Sequence, residues 1–260
     1  IGSEFIKRNN NFNFIPFEGD ITNQTSVDKW IKSNPFQILL HFAAIVPIKE
    51  KSERVPGKNL RLVCEKPLYQ YLLDKLSSCN FDEVFIDSDS DEIRDYSQNK
   101  RFQFIQRKPE LSKNTANGND LLNYHAEIIE ADFYFQLFVT SPLLKIETIN
   151  NCIEILHTNQ KYDSIFTTKS IYTWFWFEGQ PVNYDPHTLP RSQDAKPIIM
   201  ETTGLYGITR QALLKNRARI GQSPYFYEVT DEETIDLDNE SDFQFLEFYV
   251  QKHLSGSNGK

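Results

Sequence analysis

The stretch AIVPIKEKSERVPGKN, residues 44–59, decides how this chain is read. It closes an apolar run from Ile38 to Ile48 and opens a polar loop bearing Lys49, Lys51, Arg54 and Lys58. Pro56 and Gly57 set a turn before Lys58, Asn59 and Arg61. A buried strand that delivers a cationic loop to the edge of an open sheet is where α/β proteins bind nucleotide phosphates. Lysine supplies a mobile point charge there, and Ser52 and Asn59 add neutral hydrogen-bond donors. The loop is no P-loop, because GxxxxGK[ST] is absent. Glu50 and Glu53 dilute the charge, so this window alone fits a solvated charged loop equally well.

Downstream of this window, helix and strand signals alternate. Apolar residues at helical spacing (Leu68, Tyr71, Leu72, Leu76) predict a helix over Lys66–Leu76. Strands are expected at Glu83–Asp87, Arg101–Gln106, Phe133–Val139, Ser164–Thr168 and Thr203–Ile208. Helices are expected at Ser88–Asn99, Asn119–Glu130, Ile146–His157 and Ser241–Val250. That order predicts an α/β domain with a mainly parallel sheet, Rossmann-like, covered by helices on both faces. Trp174, Trp176, Pro181, Pro186, Pro190 and Pro197 break the rhythm and predict a loop and hairpin insertion near 171–200.

Bulk composition narrows the function classes. With 260 residues, 39% hydrophobic and 25% charged, the chain suits one large globular domain or two small ones. A net charge of −8 argues against a nucleic-acid partner, though a local cationic pocket stays open. No apolar run reaches the ~20 residues that span a bilayer, so no membrane partner is expected. Three widely spaced cysteines, Cys64, Cys79 and Cys152, build no zinc or disulfide pattern, and a cytoplasmic location follows as the default.

Ile235-Asp236-Leu237-Asp238 alternates apolar and acidic residues. If extended, both carboxylates face one side, which suits Mg²⁺ completed by phosphate and water. The competing reading is a strand end with two solvated acids ahead of a helix cap. Asp87-Ser88-Asp89-Ser90-Asp91 lacks the glycine and glutamate of a calcium loop and reads as a strand end followed by a cap.

Four windows in order then resemble one family: VPIKEKSERVPGKN (46–59), QRKPELSKNTANGNDLL (106–122), VTSPLL (139–144) and IDLDNESDF (235–243). With FIDSDSDEI and PRSQDAKPI they resemble the CMP-sugar synthetases, the cytidylyltransferases of N-acylneuraminates and related acids. The resemblance runs over residues 43–252 and leaves 253–260 as a tail. It implies a Rossmann-like nucleotidyltransferase fold, a homodimer, and Mg²⁺-dependent transfer of CMP from CTP to a sialic acid-like sugar, with release of pyrophosphate. It implies that Lys49 and Lys58 neutralise the phosphates as catalytic residues. Ser52, Asn59 and Arg107 would complete the nucleotide site. Thr140, Ser141, Arg191 and Gln193 would lie at the sugar, and Asp236 and Asp238 would hold the metal. The chain departs from the family pattern at Phe138, which replaces a glutamine, at Leu144 and at Glu201, which stand where some members carry arginine, and at Glu53, where lysine is frequent.

Residues 1–42 read differently. IGSEFIKRN, GDITNQTSVDKWI and LLHFAAIVP resemble a truncated N-terminus of an extended short-chain dehydrogenase, with Gly2 alone left of the glycine motif and Asp20 near the adenine position. Strands are expected at Phe12–Phe17 and Phe36–Ala44 and a helix at Ser26–Ser33. The dehydrogenase pair would be Tyr71 and Lys75. Two alternatives follow: an NAD(P)-dependent sugar-nucleotide oxidoreductase, or a non-catalytic nucleotide-binding protein.

Overall fold

The computed structural model describes residues 40–257, apart from 53 and 101, together with 25, 26 and 29. The chain divides into two units, Ile1–Leu39 and Leu40–Lys260. The strand expected at Phe12–Phe17 and most of the helix at Ser26–Ser33 lie outside the described residues, as does Glu53; residues 25, 26 and 29 are helical.

In the second unit the strands are β1 (Phe42–Ile48), β2 (Leu62–Val63), β3 (Lys66–Pro67), β4 (Glu83–Ser88), β5 (Gln103–Gln106), β6 (Phe133–Leu137), β7 (Ser164–Ile171), β8 (Trp176–Phe177), β9 (Gln180–Pro181), β10 (Ile198–Thr209) and β11 (Pro224–Glu228). The helices are α1 (Leu68–Leu76), α2 (Asp91–Asn99), α3 (Gly118–Ile128), α4 (Ile146–Thr158), α5 (Arg210–Asn216) and α6 (Glu240–Ser257). Seven strands form the main sheet in the order β11-β7-β10-β6-β1-β4-β5. β1 pairs in parallel with β4 and β6, β4 with β5, and β11 with β7. β10 runs antiparallel to both β6 and β7. It returns from β7 through the 172–197 insertion, which contains the β8–β9 hairpin and no crossover helix, so the chain re-enters the sheet reversed.

β1 is central and buried on both faces, which is why FAAIVPI reads as a continuous apolar run. Ala43 and Ile45 pack with Leu122 and Ala126 of α3 and with Ala212 and Leu213 of α5. Ala44, Val46 and Ile48 pack on the opposite face with Leu72, Leu73 and Leu76 of α1, Ile93 of α2 and Ile149, Cys152 and Ile153 of α4. Fully burying one such aliphatic side chain stabilises by about 1.5–3 kcal/mol. A third cluster joins Val55 of the cationic loop, Val63, Leu68, Leu237, Phe243 and Leu246. It ties the loop after β1 to the acidic segment before α6.

Several expectations need correcting. The strand expected to end at Ala44 continues to Ile48, and the one expected at Thr203–Ile208 spans Ile198–Thr209. Helix α6 extends to Ser257. Sequence reading overlooked α5 and β11, both short and without a strong period. Ile235–Asp238 is no sheet strand: it follows a one-turn 3-10 helix at Glu232–Thr234, and Leu237 N donates to the Thr140 carbonyl at 2.9 Å.

Candidate active site

The loop after β1 leaves the carboxyl edge of the parallel strands. Gly57 sits at φ +65°, a conformation costly for other residues, and its carbonyl accepts from Leu60 N and Arg61 N, each at 3.0 Å. This turn brings Lys58 back toward the acidic segment. Lys58 Nζ donates to the Leu237 carbonyl at 2.7 Å and meets Asp238 Oδ1 at 3.2 Å. Arg54 Nη1 reaches Asp238 Oδ2 at 2.7 Å. Lys58 and Asp238 therefore touch across 180 residues of sequence. Asn59 is buried and donates to the Lys49 carbonyl at 2.8 Å, fixing the strand end, while its Oδ1 has no partner among the described residues. Lys49 Nζ donates to Asn114 Oδ1 at 2.7 Å. Asp89 accepts from Glu50 N at 2.8 Å and from Ser112 Oγ at 3.2 Å, which clips the loop to the segment after β5.

These segments enclose a cavity of about 410 Å³. Six cationic side chains line it, Lys49, Lys51, Arg54, Lys58, Arg107 and Lys113, together with Ser52, Asn59, Phe138 and Thr140, and none of the lining residues is a carboxylate. In a chain of net charge −8 this is a strongly positive hollow, matched to a polyanion. Asp238 stands at its rim through Arg54 and Lys58. Ser141 is buried beneath, its amide donating to the Phe138 carbonyl at 3.1 Å.

Asp236 lines a separate hollow with Asp231, Thr234 and Asp242, and it lies near enough to help raise the Tyr206 hydroxyl. Its Oδ1 is buried with no hydrogen-bond partner among the described residues. A buried carboxylate oxygen left open suits a hard divalent cation, and Mg²⁺ ordinarily takes only one or two protein carboxylates; Asp238 meanwhile borders the cation-lined cavity rather than this hollow. No group of three or more His, Cys, Asp or Glu able to hold a metal occurs among the described residues.

A second polar cluster was not legible in the sequence. Arg219, in the loop before β11, stacks 3.6 Å from the Tyr206 ring centroid and pairs with Glu201 at 3.2 Å. The Tyr206 hydroxyl also bonds Glu201; burial first and this bond second push that hydroxyl up. Gln136 donates to the Gly118 carbonyl at 3.1 Å and leaves its buried Oε1 without a partner among the described residues. A Cβ on Gly118 would come within 2.8 Å of Arg219 Nη1, so a larger residue there would require the Arg219 guanidinium to shift. These residues come from four separate segments, and no short window announces them.

Other expected residues fall elsewhere. Arg191 and Gln193 are exposed in the insertion, where Arg191 pairs with Asp194 at 2.6 Å, and neither lines the cavity. Tyr71 donates to the Val63 carbonyl at 2.7 Å, while Lys75 donates to the carbonyls of Pro142 and Leu144 at 2.7 and 2.8 Å. Burial and the nearby Lys66 charge bring Lys75 down to about 8. Lys75 thus braces the Thr140–Leu144 turn.

Comparison with known proteins now places the chain. A family model described as Cytidylyltransferase matches residues 43–252. The chain belongs to the cytidylyltransferase family. It is 28% identical over 217 residues to the N-acylneuraminate cytidylyltransferase of Oncorhynchus mykiss, covering 80% of this chain and 50% of that protein. It is 29% identical over 218 residues to a Helicobacter pylori protein named as pseudaminic acid cytidylyltransferase and UDP-2,4-diacetamido-2,4,6-trideoxy-beta-L-altropyranose hydrolase, covering 80% of this chain and 42% of that one. The chain thus spans about half the length of these curated relatives. A solved CMP:2-keto-3-deoxy-manno-octonic acid synthetase complexed with CTP superposes with a TM-score of 0.62 at 15% identity, over 82% of this chain and 99% of that chain. That likeness establishes the nucleotidyltransferase fold. No helix among the described residues is long and apolar enough to cross a membrane.

Proposed function

We propose that this cytidylyltransferase moves CMP from CTP to a sialic acid-like sugar acid and releases pyrophosphate. The observation that carries this reading is the cavity of about 410 Å³, lined by six cations and rimmed by Asp238, at the carboxyl edge of the sheet. A sugar hydroxyl attacks the α-phosphorus in line and gives up its proton to water. The new O–P bond forms as the bond to the β-phosphate oxygen breaks, and the pair of electrons leaves with pyrophosphate. Chemistry of this kind asks the protein mainly for positioning and charge neutralisation. Lys49 and Lys58 neutralise the departing pyrophosphate, and Ser52 and Asn59 orient the nucleotide. Arg107 faces the base. Thr140 and Ser141 shape the floor where acceptor and nucleotide meet.

Asp236 and Asp238 would hold Mg²⁺, which when bound supplies charge neutralisation at phosphate oxygens. The open Asp236 Oδ1 supports that assignment. The Arg219, Glu201 and Tyr206 cluster reaches the cavity-lining Phe138 through Arg219, and we read it as recognising an acceptor that carries both acidic and hydrogen-bonding groups. Exposed Trp176, Phe177 and Leu189 on the insertion support a homodimer that covers them and brings Arg191 and Gln193 toward a site. The three free cysteines suit a reducing compartment such as the cytoplasm. Residues 1–42 are read as a dehydrogenase-like remnant, of which Leu40–Phe42 already belong to the unit that carries the sheet.

Pyrophosphate release, measured with each of four nucleoside triphosphates against a panel of sugar acids, tests this. Release with CTP and a nonulosonic-type acid, dependent on Mg²⁺, is the expected result. Absence of release with CTP across the panel, or preference for another base, overturns it.

A further inference from the structure

Asp87, the penultimate residue of β4, has no exposed surface, and both its carboxylate oxygens are taken. Oδ1 accepts from Arg107 Nε, and Oδ2 lies 2.5 Å from His125 Nε2 on α3. Arg107 Nη2 donates to the Asp87 carbonyl at 3.0 Å, and Arg107 N to the Ser88 carbonyl at 2.9 Å. Burial alone would raise the Asp87 carboxyl, but the His125 hydrogen bond and the Arg107 charge outweigh it and hold it below the usual carboxylate range. With Asp87 ionised, His125 donates through Nε2. Its Nδ1 has no partner among the described residues.

The geometry of Arg107 is one-sided. Nε and Nη2 face inward to Asp87, while Arg107 lines the cavity and its Nη1 has no hydrogen-bond partner among the described residues. A guanidinium offers donors only, so its open edge selects an acceptor. An unclamped arginine would lose rotamer freedom on binding; here the cost falls in folding instead.

We propose that Asp87 and His125 are positioning residues that aim the open edge of Arg107 into the cation-lined cavity, at a hydrogen-bond-accepting group of the bound nucleotide. This rests on the cytidylyltransferase reading above. The Asp87 carboxylate bonds Arg107 and His125, and both Asp87 and His125 stay out of the cavity lining, so their side-chain link to the cavity runs through Arg107.

A double-mutant cycle on the whole chain tests it, with CTP affinity by calorimetry, KM and kcat, and melting as a separate readout. Asp87→Asn should raise KM for CTP about 10- to 100-fold, the range for a hydrogen bond to a charged group, with kcat within about threefold. Added to Arg107→Met, Asp87→Asn should raise KM no further. Additive losses, or an unchanged KM, overturn the proposal. Should Asp87→Asn fail to fold, His125→Gln enters the same cycle with the same criterion and a smaller rise. Wild-type protein that binds CTP while the cycle is additive removes only this inference. Wild-type protein that binds no CTP removes the functional reading with it.

Discussion

The cation-lined cavity and the Arg219 cluster are neighbours built in opposite ways. The cavity is assembled from short contiguous windows: residues 49–59 supply most of its charge, and 107–116 and 138–140 close it. Its lysines are lightly held, Lys49 by one asparagine and Lys58 by a carbonyl and one carboxylate. The Arg219 cluster draws single residues from Gly118, Gln136, Glu201 and Tyr206, and its cation is already paired and stacked. A phosphate chain is the same for every nucleotide and needs mobile charge. An acceptor differs between enzymes and is better recognised by a fixed, shaped set of groups.

The largest expected effect breaks the comparison at its seam. Asp238→Asn removes the carboxylate that holds Arg54 and Lys58 at the rim. Turnover should fall about 10²-fold, roughly 3 kcal/mol, with far-UV circular dichroism unchanged. Wild-type turnover in a folded variant would remove Asp238 from the site. Next, Arg219→Met should raise KM for the acceptor about tenfold and leave KM for CTP within about twofold. Equal movement of both constants would show that the two regions do not divide the substrates. Lys49→Met is a milder change at a solvent-facing cation, worth about 1 kcal/mol, or about fivefold in turnover. A loss as large as that of Asp238→Asn would mean that the cavity cations are not interchangeable.

The smallest effect concerns α1, which packs on β1. Burial alone would raise the Asp74 carboxyl on α1, but hydrogen bonds from Lys66, Tyr96 and Lys100 outweigh it and bring it down to about 2. The folded value lies below the unfolded one, so its contribution is present above about pH 4 and lost as pH falls through about 2. The carboxylate is about a third exposed, so solvent screening keeps the contribution under about 1 kcal/mol. Urea unfolding of wild type and Asp74→Asn at pH 5 and pH 2 should show a stability gap at the higher pH that closes at the lower. A gap unchanged between the two would exclude this network.

Much of the first region was legible because its signals are local. An apolar run, a Pro-Gly turn and clustered lysines mark a strand delivering a charged loop, and the structure forms both. The pair Asp236 and Asp238 was visible as an alternation, but its placement was not. No sheet strand forms there; Leu237 is instead buried with Val55 and Phe243, which seats Asp238 at the loop while Asp236 lines a separate hollow. Asp87 read as a strand end and helix cap. Its role as the buried partner of Arg107 and His125 depends on β4, the end of β5 and α3 converging, and nothing in FIDSDSDEI announces it. The reversal of β10 was equally hidden, because the 172–197 insertion has no period from which strand direction could be inferred.

By itself the amino-acid order determined the parallel α/β core, since two-sided burial of β1 requires an uninterrupted apolar run, and it determined where positive charge gathers, since those lysines lie within eleven residues of one another. Only the tertiary structure decided which charges meet. Lys58 with Asp238, Arg107 with Asp87, and Arg219 with Glu201 are contacts between distant segments, set by how helices and strands pack rather than by any spacing along the chain.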